Sequence, residues 1–195
     1  GGVYFSLNNI FYGSPYISNT LVSLLIVLLF LVPLLTMRSF SEEKKLKTDQ
    51  LLLTAPIRVS SIVLAKFFAM ATIMLIATLI FSLGIILLAV YGSVPVGETI
   101  MSLVGFFLYG CICIAVGMFL SSITEHQFIA AILTYGVFVF MILVPSFCSI
   151  IFGSDSVVMS IINVIDIITP FDMLFSGIIV VSDITYIFSA IFIFL

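Results

Sequence analysis

FFAMATIMLIATLIFSLGIILLAVYGSVPVG, residues 67–97, holds no charged side chain. A helix rises about 1.5 Å per residue, so some twenty apolar residues in a row cross a hydrocarbon core about 30 Å thick. This stretch does so with residues to spare. Barrel strands would alternate polar and apolar over about ten residues. Here the apolar character is continuous, and the segment reads as a membrane helix. Residues 1–37, 99–124 and 126–154 are equally free of charge. Of the whole chain, 63% is hydrophobic and 8% charged, where a soluble domain carries about 25% charged residues. Such a sequence cannot keep a water-soluble surface. It reads as an all-α, polytopic integral membrane protein, one domain over residues 1–195.

On either side of that stretch the chain divides into further crossings. The first covers about 17–37, with Pro33 near its end; proline is tolerated in a membrane helix where neighbours satisfy the carbonyl it frees. The second runs about 62–90, leaving Lys66 to project into water or to snorkel. YGSVPVGE, residues 91–98, is a turn rich in Gly and Pro. The third and fourth crossings take 99–120 and 127–152, joined by SSITEH. Residues 156–165 and 173–182 are too short to span, and DIITPFD separates them, so segment 153–183 reads as an outer re-entrant or interfacial pair. A last crossing starts near Asp183. The lack of an initiating Met and the ending IFIFL give the expectation of a fragment of a longer protein.

Charge is gathered in one place. MRSFSEEKKLKTDQLLLTAP, residues 37–56, contains Arg38, Glu42, Glu43, Lys44, Lys45, Lys47 and Asp49, seven of the chain's fifteen charges. Arg58 and Lys66 follow, so every Lys and Arg lies between the first crossing and the opening turns of the second. The positive-inside rule puts the loop 38–61 in the cytoplasm. The outer segments then carry Glu98, Asp155, Asp166, Asp172 and Asp183, with Tyr4, Tyr12, Tyr16, Tyr91 and Tyr186 at the aromatic belt. Within the loop, Thr48 can N-cap a short helix with Asp49 in its first turn, ended by Pro56. That helix would hold Leu51, Leu52 and Leu53 in the cytoplasm, as a docking element for a partner protein does. The alternative is a solvated loop whose lysines sit near anionic headgroups.

The block PLLTMRSFSEEKKLKTDQLLLTAPIRVSSIVLAKFFA, residues 33–69, resembles the ABC-2 type transporter permeases. It is nearest the branch containing the gliding-motility-associated permease subunit. IAVGMFLSSITEHQFIAAIL, residues 114–133, is similar to the family's G-x-x-x-S-S-L-T-E-N-Q segment. The likeness runs over nearly the whole chain. Lys47 stands where the family has a glycine, Ala65 replaces the glycine before Lys66, and His126 stands where asparagine is common. Lysine at 47 removes an easy left-handed turn. The resemblance implies an ABC-2 permease bundle, here without the family's first helix, in a bacterial cytoplasmic membrane. It implies the transmembrane subunit of an exporter-like machine, with two permease chains forming the pathway and separate cytoplasmic ATPases below. On the family pattern, loop 38–61 carries the coupling helix. Arg38, Glu42, Glu43, Lys44, Lys45, Thr48, Leu51, Leu52, Leu53 and Pro56 form the ATPase-coupling interface. Glu125 and His126 give a second, smaller cytoplasmic contact. Asp166, Pro170 and Asp172 belong to the outer re-entrant pair, sealing the outer end of the pathway.

Other residues admit plainer roles beside functional ones. His126 beside Glu125 could be an acid–base pair, but no nucleophile accompanies it, and a loop role fits better. Asp166 and Asp172 are either functional carboxylates at membrane depth or caps of two half-helices at the outer boundary. Gly117 with Ser121, and Ala65 with Ala69, form small-xxx-small pairs suited to close helix packing within the chain. Pro145 is expected to bend the fourth crossing. Cys111, Cys113 and Cys148 have neither zinc spacing nor a disulfide framework. No phosphate-binding loop, H-E-x-x-H or G-x-S-x-G is present, so ATP hydrolysis is expected in a partner rather than in this chain. No cofactor is called for, and no basic stripe interleaved with aromatics points to nucleic acid. An ATP-independent secondary transporter or channel is the alternative; it would need ion-coupling charges inside the crossings.

Overall fold

The computed structural model describes residues 18–47, 58–91, 96–152, 171 and 181–195. Among these, six helices form: α1 (Ser18–Thr36), α2 (Ser41–Lys45), α3 (Val59–Tyr91), α4 (Val96–Ile123), α5 (Gln127–Phe152) and α6 (Val181–Phe194). No described residue is in a strand. Four helices are long and apolar enough to cross a membrane, and α6 is a shorter apolar helix. The expected crossings and observed helices agree to within three residues at each end. At 33 residues, α3 is about 50 Å long, well beyond a hydrocarbon core. It extends to Tyr91 and α4 starts at Val96, so both helices reach into the expected 91–98 turn.

α4 is the axle of the bundle and packs against each of the other helices. From Cys111 through Met118 every residue is buried, with Phe106 and Tyr109 above them. A helix apolar all round has no polar face to turn to water, so it sits in the centre. Around it, α1, α3, α5 and α6 bury one stripe each and expose the other. Phe30 and Leu34 on α1, Ile80 and Leu83 on α3, Phe128 and Phe140 on α5, and Phe192 on α6 are more than half exposed. Faces of this size are stable only against lipid or another protein. Hydroxyls buried in the bundle bond to carbonyls three or four residues back in their own helices: Thr36 Oγ1 to Val32 O at 2.9 Å, Thr134 Oγ1 to Ala130 O at 2.7 Å, and Thr78 Oγ1 to Leu75 O at 2.8 Å. That satisfies them without water.

The two small-residue pairs part company. Gly117 faces α1, where an added Cβ would come within 2.9 Å of Thr36 Cβ. Ser121, one turn on, is buried at the α1–α2 junction. This pair packs within the chain as expected. Ala65 and Ala69 are exposed on α3, so the expectation of internal packing fails for them; α3 turns its other face to α4. Of the two outcomes expected for Lys66, projection into water is not seen: its ammonium reaches back to Ser39 and Glu43 in the loop.

Candidate functional site

The charged loop enters the structure as the turn 37–40 and helix α2. SEEKK, expected as polar loop, is helical because Glu42 and Glu43 lie at its positive end and Lys44 and Lys45 at its negative end. Five residues alone do not hold a helix in water. The support comes from other elements. Phe40, the N-cap residue, makes no side-chain cap bond of its own. Instead Ser121 Oγ, on the last turn of α4, accepts hydrogen bonds from the backbone N–H groups of Phe40 (3.2 Å) and Ser41 (3.3 Å) and donates to Met37 O (3.2 Å). Ser41 Oγ also donates to Met37 O.

The capping is reciprocal. Lys44 Nζ donates to Ser122 O, one of the end carbonyls of α4, where a cation meets the negative pole of the helix. A third anchor comes from α3. Lys66 Nζ lies 2.6 Å from Ser39 O and 2.5 Å from Glu43 Oε2, and 4.1 Å from the centre of the Phe40 ring. The ring face favours the cation, and its partial burial strengthens the ion pair over a surface one. Both side chains stay less than a third exposed. Thus the ends of α1, α3 and α4 meet on one short helix.

Several expected site residues are placed by this arrangement. Glu43 and Lys44 turn inward to Lys66 and Ser122. Arg38, Lys45, Leu46 and Lys47 are exposed, and Glu42 is half-buried. Glu125 and His126, in the α4–α5 turn, are exposed, and α2 packs against both helices of that turn. Lys47 lies just past the end of α2 with φ 55, the left-handed conformation usual for the residue that ends a helix and usually given to glycine. The lysine adopts the glycine's turn. Thr48, Leu51, Leu52, Leu53 and Pro56, and the helix expected from Thr48, lie outside the described residues. So do Asp166, Pro170 and Asp172 and the half-length segments. Phe171, between them, is described: it is fully buried, edge-on to Tyr109 with ring centres 5.0 Å apart.

Sequence reasoning missed Ser121 as a cap, seeing only a small residue suited to packing, and missed Lys66 as an anchor. A serine at the end of an apolar helix gives no local sign of capping another helix. The one available sign was Lys66, a cation set among apolar residues a turn inside α3.

Fold and site together define a polytopic helical membrane protein whose basic loop is bound into the ends of its crossings. The sequence matches the family described as ABC-2 family transporter protein over residues 3–195, and the chain belongs to that family. It is therefore a membrane-embedded component of an ABC transporter, and its family is one of transport rather than catalytic subunits. No curated protein and no solved structure matches the chain.

Proposed function

We propose that this chain is the permease subunit that couples a separate cytoplasmic ATPase to a transport pathway shared with a second permease chain. Loop 38–61 is the docking element, with Glu125 and His126 beside it. The observation that carries the reading is the three-way anchoring of α2. A docking loop transmits force only if it cannot swing independently of the helices it drives, and Lys66, Ser121 and Lys44 tie this one to α3 and α4. Leu46, 65% exposed, and the leucines at 51–53 supply apolar surface for the ATPase to cover. Nucleotide binding moves the bundle to the extent that the docked loop is bound differently in the two states of the ATPase.

All basic residues fall on this loop and the first turns of α3, which supports a cytoplasmic placement in a bacterial inner membrane. Phe171 against Tyr109, about 17 Å along α4 from Glu98, supports a re-entrant path for segment 153–183. The motif block 33–69 is the basis for kinship with the gliding-motility-associated branch.

The test is co-expression of the protein with an ABC ATPase subunit from the same genome, one encoded adjacently if present. The ATPase should co-purify with the wild type, and Leu46→Asp or Leu52→Asp should lower its recovery at least ten-fold. A cysteine replacing Lys45 should react with a membrane-impermeant thiol reagent only in inside-out vesicles. Undiminished recovery with both aspartates, or labelling from outside, would refute the docking assignment.

A further inference from the structure

α1 is built in two parts. Its last turn is fixed: Thr36 is fully buried against Gly117 of α4, and Met37, which follows, is tied through its carbonyl to Ser121. One turn earlier Pro33 lies buried inside the helix. Proline has no N–H to close onto Leu29 O, and its ring crowds that carbonyl, so the turn 29–33 is where α1 can bend. Thr36 adds to this. A threonine hydroxyl bonded four residues back, here to Val32 O at 2.9 Å, also bends a helix.

On the N-terminal side of Pro33, the body of α1 buries Leu21, Leu24, Leu25 and Leu28. In a bilayer such contacts fix an angle weakly, because a leucine that leaves the bundle meets lipid tails as apolar as itself. A polar tie fixes it better. From α5, Tyr135 Oη donates a 2.7 Å hydrogen bond to Phe30 O, and the two rings meet with centres 5.5 Å apart. Tyr135 takes the carbonyl next to the one that proline frees. It therefore holds the body of α1 just past the bend, from a different helix than the one that grips the foot. Hydrocarbon offers the phenol no other acceptor, so releasing this bond carries a cost that shifting a leucine does not.

We propose that α1 hinges at Pro33 and that Tyr135 is the catch that holds the hinge at one angle. The foot stays with α4 and α2 while residues 18–30 are free to swing once the catch opens. Tyr135 is a positioning residue, acting through the Phe30 carbonyl. Its link to transport rests on the docking reading above: when loop 38–61 is driven, the foot of α1 moves with it, and the catch decides whether the body follows at the same angle.

The hinge is read in the permease alone, in lipid nanodiscs without ATPase, so its outcome is separate from the recovery that tests docking. Spin labels on cysteines replacing Ile26 and Val104, both exposed, report on the body of α1 against α4. Labels replacing Lys45 and Val104 report on the loop end. In the wild type both distance distributions should be narrow. Tyr135→Phe keeps the ring and removes the hydroxyl. It should raise the population at displaced 26–104 distances about three-fold, the factor that losing an interhelical bond of about 0.6 kcal/mol gives, and leave 45–104 as it was. Adding Pro33→Ala, which restores the missing N–H, should narrow the 26–104 distribution again. A Tyr135→Phe distribution matching the wild type would overturn the catch. A double variant as broad as Tyr135→Phe alone would overturn the hinge at Pro33, and broadening of both label pairs would show general loosening and overturn the proposal as a whole.

Discussion

Ser121 does for α2 what a helix normally asks of its own N-cap residue, from eighty positions away in the sequence. Because the N–H groups of Phe40 and Ser41 both depend on its hydroxyl, Ser121→Ala leaves both without that partner, the second in a buried setting. Loss of a cap costs about 0.5–2 kcal/mol, and hydrogen exchange at Phe40 and Ser41 should quicken by up to about thirty-fold while the centre of α4 keeps its protection. Lys47 tells the opposite story. A side chain in the left-handed region costs about 1–2 kcal/mol, and at φ 55 Lys47 bears it without a bond that requires lysine. Lys47→Gly should raise the thermal midpoint of the detergent-solubilised protein. A fall would mean that the flexibility glycine adds to the unfolded chain outweighs the relieved strain.

Helix against helix, the decisive contact is α1 on α4 at Gly117. Thr36 is fully buried there with its hydroxyl returned to Val32, so it cannot rotate away cheaply. A methyl at 117 must push α1 outward, and overpacking of this kind costs about 1–3 kcal/mol. Gly117→Ala should therefore lower stability, and Gly117→Ala with Thr36→Ala should recover most of the loss, a coupling that a double-mutant cycle reads directly. The contrast with Ala65 and Ala69 shows how much of the structure the sequence could convey. Whether a small residue is buried depends on which face its helix turns to the axle, and identical spacing on two helices led to opposite outcomes. The crossings themselves were legible because hydropathy accumulates over twenty residues and no tertiary contact can reverse it. α2 was not, since its stability lies in Ser121, Ser122 and Lys66, none of them near it in sequence.

In the assembled molecule, two separate anchors hold the same short helix. α4 grips α2 through Ser121 and Ser122, and α3 grips it through Lys66. If loop 38–61 receives the motion of an ATPase, both helices must move with it as one body, so distances from α2 to either helix should not change with nucleotide. Lys66→Met cuts only the second anchor: it keeps the length and apolar stem of the side chain but removes the charge that binds Glu43 and the Ser39 carbonyl. Spin labels on cysteines replacing Lys45 and Leu83 report on α2 relative to α3, and those replacing Lys45 and Val104 report on α2 relative to α4; all three positions are exposed. In the wild-type complex with its ATPase, both distances should be narrow and unaltered between the nucleotide-free and ATP-bound states. With Lys66→Met, the distance from 45 to 83 should broaden and shift with ATP while that from 45 to 104 stays fixed. ATP hydrolysis should continue, because nothing in the ATPase has changed. A distance from 45 to 83 as narrow and constant in the variant as in the wild type would show that α3 follows α2 through some other contact, and that the Lys66 anchor is not what carries the motion.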